Sequence, residues 1–234
     1  MSFGGHADVD AASIVASGTI SHSGNANITS CPSGQSPCDQ QSAGVAQIPD
    51  PFAATYGGDL AIPTATVSQP PGTSLTPPPA GEAYASLSFN SNQSFTLAAG
   101  VYYVQGAVSI NGGATVTGSG VTIISGNGIT INGNSNVTLT APSSGATAGL
   151  LFGSASSRSL AFTGTGTLSL RGAIYAPDAG VTLTGNSDTG SAACLVVAAY
   201  TVTYSGDSQQ SDSGCAALGV PPIYDFPTTA RLVQ

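Results

Sequence analysis

Leu87-Ser88-Phe89-Asn90-Ser91-Asn92 sets out a pattern of apolar, polar, apolar and then a turn of small or amide residues. It returns as Val108-Ser109-Ile110-Asn111-Gly112-Gly113, Ile129-Thr130-Ile131-Asn132-Gly133-Asn134 and Leu160-Ala161-Phe162-Thr163-Gly164-Thr165. Val181-Thr182-Leu183-Thr184-Gly185-Asn186 and Val202-Thr203-Tyr204-Ser205-Gly206-Asp207 complete the set. The second apolar residue stands at 89, 110, 131, 162, 183 and 204, in steps of 21, 21, 31, 21 and 21. A fixed period of this size, built from strand-like alternation without a 3.6-residue component, is the mark of stacked turns of chain. The expected fold is all-β: a right-handed parallel β-helix, a solenoid with coils of about 21 residues and few or no helices.

The columns agree beyond this strand. A second strand follows in which Phe95 and Leu97, Val116, Val137 and Leu139, and Leu168 and Leu170 share one side. Ser94 and Thr96, Thr115 and Thr117, Asn136 and Thr138, and Thr167 and Ser169 share the other. A third strand, read from Val101–Val104, Val121–Ile124, Leu150–Phe152, Ala173–Tyr175 and Leu195–Ala198, is apolar on both sides, so its outer face needs a cover. Asn92, Asn134 and Asn186 recur three residues after the second apolar position, where stacked amides bond along the pile and tolerate left-handed turns.

Charge is sparse among the 234 residues: no lysine, arginine only at 158, 171 and 231, eleven carboxylates and a net charge of −8. Nothing neutralises phosphate, which argues against nucleic acid or an anionic membrane surface as partner. No apolar run is long enough to span a bilayer. Met1 leads into Ser2-Phe3-Gly4-Gly5-His6 without a signal peptide, so an exported parent is expected to extend further upstream.

Four cysteines, an even count in a chain of small polar residues, suit an oxidising compartment. Cys194 and Cys215 are one period apart, which puts them in adjacent coils within reach of a disulfide, and Cys31 and Cys38 flank a short loop that a disulfide can close. The alternative is four free thiols. With His6 and His22 the only histidines, no metal site and no cofactor are expected.

The chain divides at composition shifts. Residues 1–44 hold one further coil, signalled by Ser23-Gly24-Asn25 and Ala26-Asn27-Ile28-Thr29. Residues 45–86 are rich in proline, unsuited to ladder strands. Their Phe52, Tyr56, Leu60 and Ile62 suit a segment laid along the outer third strand, a floppy linker being the alternative. Residues 87–215 are the solenoid core, and 216–234 a tail that caps or clasps the last coils. The ten extra residues fall around 141–148 and 153–158, where an insertion bulges as a loop.

Solenoids of this kind host polysaccharide-active enzymes, whose chemistry needs carboxylates gathered on one face. Asp178, Asp188, Asp207 and Asp212 are the candidates, with Asp188 and Asp207 closest in the repeat, but no basic residue joins them, and polar end positions explain them as well. His22, beside a turn, reads as a surface hydrogen-bonding group, and no nucleophile elbow, zinc helix or phosphate loop is present, so no catalytic residue is assigned. The glycosylation pattern at Asn27, Asn92 and Asn136 is a weak signal in so Asn- and Ser-rich a chain. The candidate binding face is the hydroxyl ladder of Thr96, Thr115, Thr117, Thr138, Thr167 and Ser169, which would repeat about every 4.8 Å. Such a strip can order water, as ice-binding β-helices do, or contact sugars or proteins; it is also what exposed strands carry by preference.

Ala99-Gly100-Val101-Tyr102-Tyr103-Val104-Gln105-Gly106, Val137-Thr138-Leu139-Thr140-Ala141-Pro142, Gly172-Ala173-Ile174-Tyr175-Ala176-Pro177 and Ala230-Arg231-Leu232-Val233-Gln234 together resemble the C-terminal β-helix region of TadG-like proteins of tight-adherence (Tad/Flp) pilus systems. Members of that family begin with an inner-membrane helix that this sequence does not contain. The resemblance implies a non-enzymatic, exported bacterial surface protein, extracellular or periplasmic, that serves pilus assembly or cell adhesion. Its implied partners are other pilus or envelope proteins and surface glycans. It supplies no catalytic residues. An ice- or carbohydrate-binding β-helix is the alternative, and a polysaccharide-active enzyme is less favoured.

Overall fold

The computed structural model describes residues 1–11, 14–16, 18–30, 41–43, 50–185, 194–206, 209–211 and 214–222. Every pairing between its strands is parallel, and the chain winds into a β-solenoid of about eight turns with about 21 residues per coil. Leu87, Val108, Ile129, Leu160, Val181 and Val202 are register partners in succession, as are Phe89, Ile110, Ile131, Phe162, Leu183 and Tyr204. None of these twelve is more than 4% exposed, so the first face buries two unbroken apolar files. Each fully buried Leu, Ile or Phe contributes about 1.5–3 kcal/mol of transfer free energy, which is why this register holds.

The second face is the ladder of Ser94–Leu97, Thr115–Ser119, Asn136–Thr140 and the start of Leu168–Gly185. Gly100–Val104, Val121–Ser125 and Leu150–Ser154 build the third, joined by the middle of Leu168–Gly185 and the start of Leu195–Ser205. The corner after the first face requires the left-handed backbone region. Gly112 and Gly113 take it at φ of 61° and 77°; one coil earlier Ser91 and Asn92 take it without glycine, at 71° and 49°.

Two parts of the chain lie differently from the sequence expectation. Residues 1–44 supply strands for two layers, not one. Ser2–Phe3 pairs with the last core coil (Ser2 with Thr203, Phe3 with Tyr204), and Ser21–His22 pairs with Ser2–Phe3. Asp8–Ala11 likewise lies between Gln209–Ser211 and Asn27–Ser30. These layers stand on the C-terminal end of the stack, with the Phe3 ring stacked on Tyr204 at 5.5 Å. They cover the last core coil, while residues 223–234 of the expected C-terminal cap lie outside the described residues. In the proline-rich region, Ala65–Val67, Ser74–Leu75 and Glu82–Tyr84 form ladder strands at the opposite end. Pro70, Pro71, Pro77, Pro78 and Pro79 fall between those strands, where a missing N–H breaks no ladder bond.

Between the two ends runs a strap. Its single helical turn, Ala53–Tyr56, seats Phe52 and Tyr56 fully buried among Ile124, Leu150, Ala173, Tyr175 and Val196 on the outer third face. The Tyr56 hydroxyl donates to the Ala148 carbonyl at 2.8 Å, and the Tyr175 hydroxyl to Asp50 Oδ2 at 2.5 Å. Leu60 crosses Gly153, where a Cβ would stand 2.7 Å from Leu60 Cδ2, so glycine permits the approach. Gln105 Nε2 then donates to the carbonyls of Pro63 and Thr64 at 2.8 Å each. The extra residues at 141–149 serve the same cover: Ala148 takes the Tyr56 bond, and Gly149 lies under Val220 of the tail.

Candidate functional site

Strand alternation places the second face's apolar residues inward and its hydroxyls outward. The structure aligns Thr96, Thr117, Thr138 and Ser169 as one file and Ser94, Thr115 and Asn136 as the next, with Ser74 below Thr96. Thr96, Thr117, Thr138 and Thr167 are exposed, while Thr115 and Ser169 are half-buried. Neighbours along a file are about 4.8 Å apart and the two files about 6.6 Å apart, from strand spacing and twice the rise per residue. Beneath them Phe95, Val116, Val137 and Leu168 are register partners, all buried, and they hold the strip flat from below.

Hydrogen bonds tie part of the strip to the backbone of adjoining coils. The Thr117 hydroxyl donates to the Phe95 carbonyl at 3.4 Å, and Asn136 Oδ1 accepts from the Thr167 N–H at 3.1 Å. At the neighbouring corner the Thr165 hydroxyl donates to Asn134 Oδ1, and Asn92 Oδ1 occupies the place a Cβ of Gly113 would take. In the amide column Asn134 thus bonds along the stack, and Asn186 lies outside the described residues. The strip's own groups are neutral; Arg171, two residues beyond Ser169, flanks it with a buried Nε that has no hydrogen-bond partner. Neutral hydroxyls at fixed spacing offer both donors and acceptors, and threonine methyls add apolar contact. That chemistry suits hydrogen-bonded association with an uncharged surface.

Cys194 and Cys215 are joined as a disulfide, with Cα atoms 4.8 Å apart. Both sulfur-bearing residues are buried in the outer third-face cluster, where the bond pins the short turn Cys215–Leu218. Cys31 and Cys38 lie outside the described residues, as do Asp188, Asp207 and Asp212, so the carboxylate pair considered from sequence is not among the described side chains. Asp178 is exposed and, after Asp50, is one of the charges that act on Tyr175. Burial, the bond to Asp50 and these two charges push the Tyr175 phenol upward, and burial with the charge of Asp59 pushes Tyr56 up to about 12. His6 lies 3.3 Å from the Asn25 amide, and His22 sits over Phe3 with ring centroids 5.7 Å apart. Among the described residues no group of three metal-binding side chains forms, and no helix is long and apolar enough to cross a membrane.

Two features escaped the sequence reading. Tyr175 and Asp50 meet across 125 positions, and nothing local marks that contact. An open groove of about 420 Å³ lies where the strap's Leu60, Ala61 and Ile62 run beside Gln105, Gly126 and Ala155, and none of these residues is charged.

With this geometry in view, residues 104–209 match a family model described as a domain of unknown function, DUF7305. The matched span begins at Val104 on the third face and ends at Gln209, so it lies within the stacked core coils and leaves out the coil of Leu87–Phe89 and Ser94–Leu97. No curated protein and no solved structure gives a significant match.

Proposed function

We propose that this chain is a non-catalytic, exported structural or adhesion protein, a component of or accessory to a tight-adherence pilus or a related surface-attachment system. It works by contact along its flank, with no group transferred or bond broken. The observation that carries the reading is the hydroxyl strip of Thr96, Thr117, Thr138 and Ser169, held in register over a buried apolar layer. The disulfide between Cys194 and Cys215 supports an oxidising location outside the cytoplasm. The likeness of residues such as Val101–Gln105 and Gly172–Pro177 to TadG-like proteins supports the pilus assignment. Partners in this reading are other pilus or envelope proteins and surface glycans. The test is a bacterium that carries the gene, with residues 87–215 deleted. Loss of piliation or of surface attachment is expected, and attachment equal to the parent's overturns the reading.

A second reading, an ice- or carbohydrate-binding strip, is favoured by one specific observation: the file of Thr96, Thr117, Thr138 and Ser169 keeps strict register over four coils without a bulge. Bulky residues at Thr117 and Thr138 then abolish thermal hysteresis or retention on insoluble glycans. A parent protein with neither property retires it.

A further inference from the structure

The second face has a further outward file beside the two hydroxyl files. Ser119, Thr140 and Arg171 are register partners in succession, each two residues past Thr117, Thr138 and Ser169. Strand alternation sends all three to the same side as the hydroxyls. Ser119 is exposed, and Thr140 and Arg171 are half-buried. Arg171 therefore stands at a corner of the strip. It carries the one charge among residues 94–97, 115–119, 136–140 and 167–171.

An arginine drawn partly out of water is ordinarily paired with a carboxylate. Here the buried Nε has no hydrogen-bond partner, and among the described residues no ion pair forms to the guanidinium. The Ala141 N–H donates to the Arg171 carbonyl at 2.8 Å, which sets Arg171 beside the 141–149 insertion, a segment without a charged residue. The described carboxylates lie elsewhere. Asp50 and Asp59 belong to the strap, Asp178 follows the third face, and Glu82 stands in Glu82–Tyr84 at the proline-rich end. Asp8 and Asp10 fall three coils beyond Thr167, about 14 Å at the strand spacing, farther than charges act through physiological salt. A charged donor left buried without a partner costs free energy, and an anion that becomes its partner removes that cost.

We propose that the strip takes a polysaccharide whose sugars carry carboxylates, and that Arg171 holds one of those carboxylates. The inference rests on the reading of the strip as the contact surface. Threonine and serine hydroxyls both donate and accept, as ring hydroxyls do, so the neutral files match most of such a polymer. The planar guanidinium fork takes a carboxylate through two parallel bonds. An acidic peptide fits less well, because this face has no strand edge. Its backbone groups are spent on the ladders between coils, and a peptide main chain would find only side-chain hydroxyls.

The test passes the full chain over alginate and over dextran coupled to the same beads. The parent should be retained on alginate and at least about tenfold less on dextran. Arg171→Gln should lower retention on alginate about tenfold, the usual worth of a charge-assisted contact, with the urea midpoint and dextran retention unchanged. Arg171→Lys keeps the charge without the fork and should fall between. Free alginate oligomers should displace the parent, and polyglutamate at equal carboxylate concentration should not. Equal retention on both beads overturns the proposal, as does Arg171→Gln retained like the parent. Displacement by polyglutamate overturns it in favour of an acidic protein. If Thr117→Val with Thr138→Val loses alginate while Arg171→Gln does not, the strip reading stands and the carboxylate anchor falls. If neither variant loses it, both fall.

Discussion

The second and third faces are made from the same coils, yet one is bare and the other is strapped. Outward positions of the second face are Ser94, Thr96, Thr115, Thr117, Asn136 and Thr138, which water solvates at no cost. Outward positions of the third face include Ile124, Leu150, Ala173, Tyr175 and Val196, which would form an exposed apolar band were residues 50–64 and the tail turn not laid over them. A solenoid has no interior large enough to absorb a second apolar file on the same strand. Any face that is apolar on both sides must therefore recruit chain from elsewhere, and the cover brings long-range order with it. Stability should accordingly be concentrated in the third face, and the second face should be free to vary.

The largest test of that contrast is Phe52→Ala. Phe52 is fully buried and packs edge-on to Tyr175 at 6.0 Å between ring centroids. Its truncation should cost about 3–5 kcal/mol, the usual range for a buried aromatic, read as a lower urea midpoint. A loss below 1 kcal/mol would mean that the strap lies on the solenoid without stabilising it. Next comes the disulfide: replacing Cys194 and Cys215 together by alanine should cost about 2–4 kcal/mol, mainly by releasing a closed loop in the unfolded chain, and should loosen the tail turn over Leu218 and Val220.

Much of this could be read from residue order, and the limits have physical causes. The core coils were legible because Phe89, Ile110, Ile131, Phe162, Leu183 and Tyr204 repeat locally, and each coil's neighbour in space is its neighbour in sequence. The N-terminal layers were only half legible, because Ser2–Phe3 and Ser21–His22 are two residues long and Phe3 finds its partner at Tyr204. Periodicity reports a strand by its alternation, and two residues carry almost none. The coil at 65–84 was hidden by proline, since composition shows which residues cannot ladder but not that they all fall at corners. On the strip, the sequence gives which hydroxyls face outward, while their ties to the backbone, such as Thr117 to Phe95, depend on rotamers.

Alkali sharpens the contrast through the phenols. Tyr56 and Tyr175 are pushed upward by burial first, with carboxylates adding to it, whereas the strip holds no titrating group. In the unfolded chain a tyrosine loses its proton near pH 10. A group whose folded value is raised contributes stability that is complete below the unfolded value and is lost as pH climbs past it. The urea midpoint should be flat up to about pH 9 and then fall steadily, past about pH 12 where Tyr56 titrates in the folded chain and on beyond it, because Tyr175 and Tyr102 are raised further by burial. Tyr175→Phe should make that fall shallower, and an unchanged slope would place the alkaline loss elsewhere.

The smallest expected effect is on the bare face, and it is the most telling for function. Thr117→Val with Thr138→Val keeps the branched shape that strands favour and removes two exposed hydroxyls from one file. One of them makes only a long bond of 3.4 Å to the Phe95 carbonyl. Stability should therefore change by no more than about 0.5 kcal/mol, as for surface positions generally. Attachment, measured as cells retained on a surface under flow, should fall with the fold intact, since the strip loses donors and acceptors at its centre. A variant that loses attachment and 2 kcal/mol together would show the hydroxyls serving the fold. One that loses neither would move the contact surface to the strapped flank beside Leu60, Ile62 and Gln105.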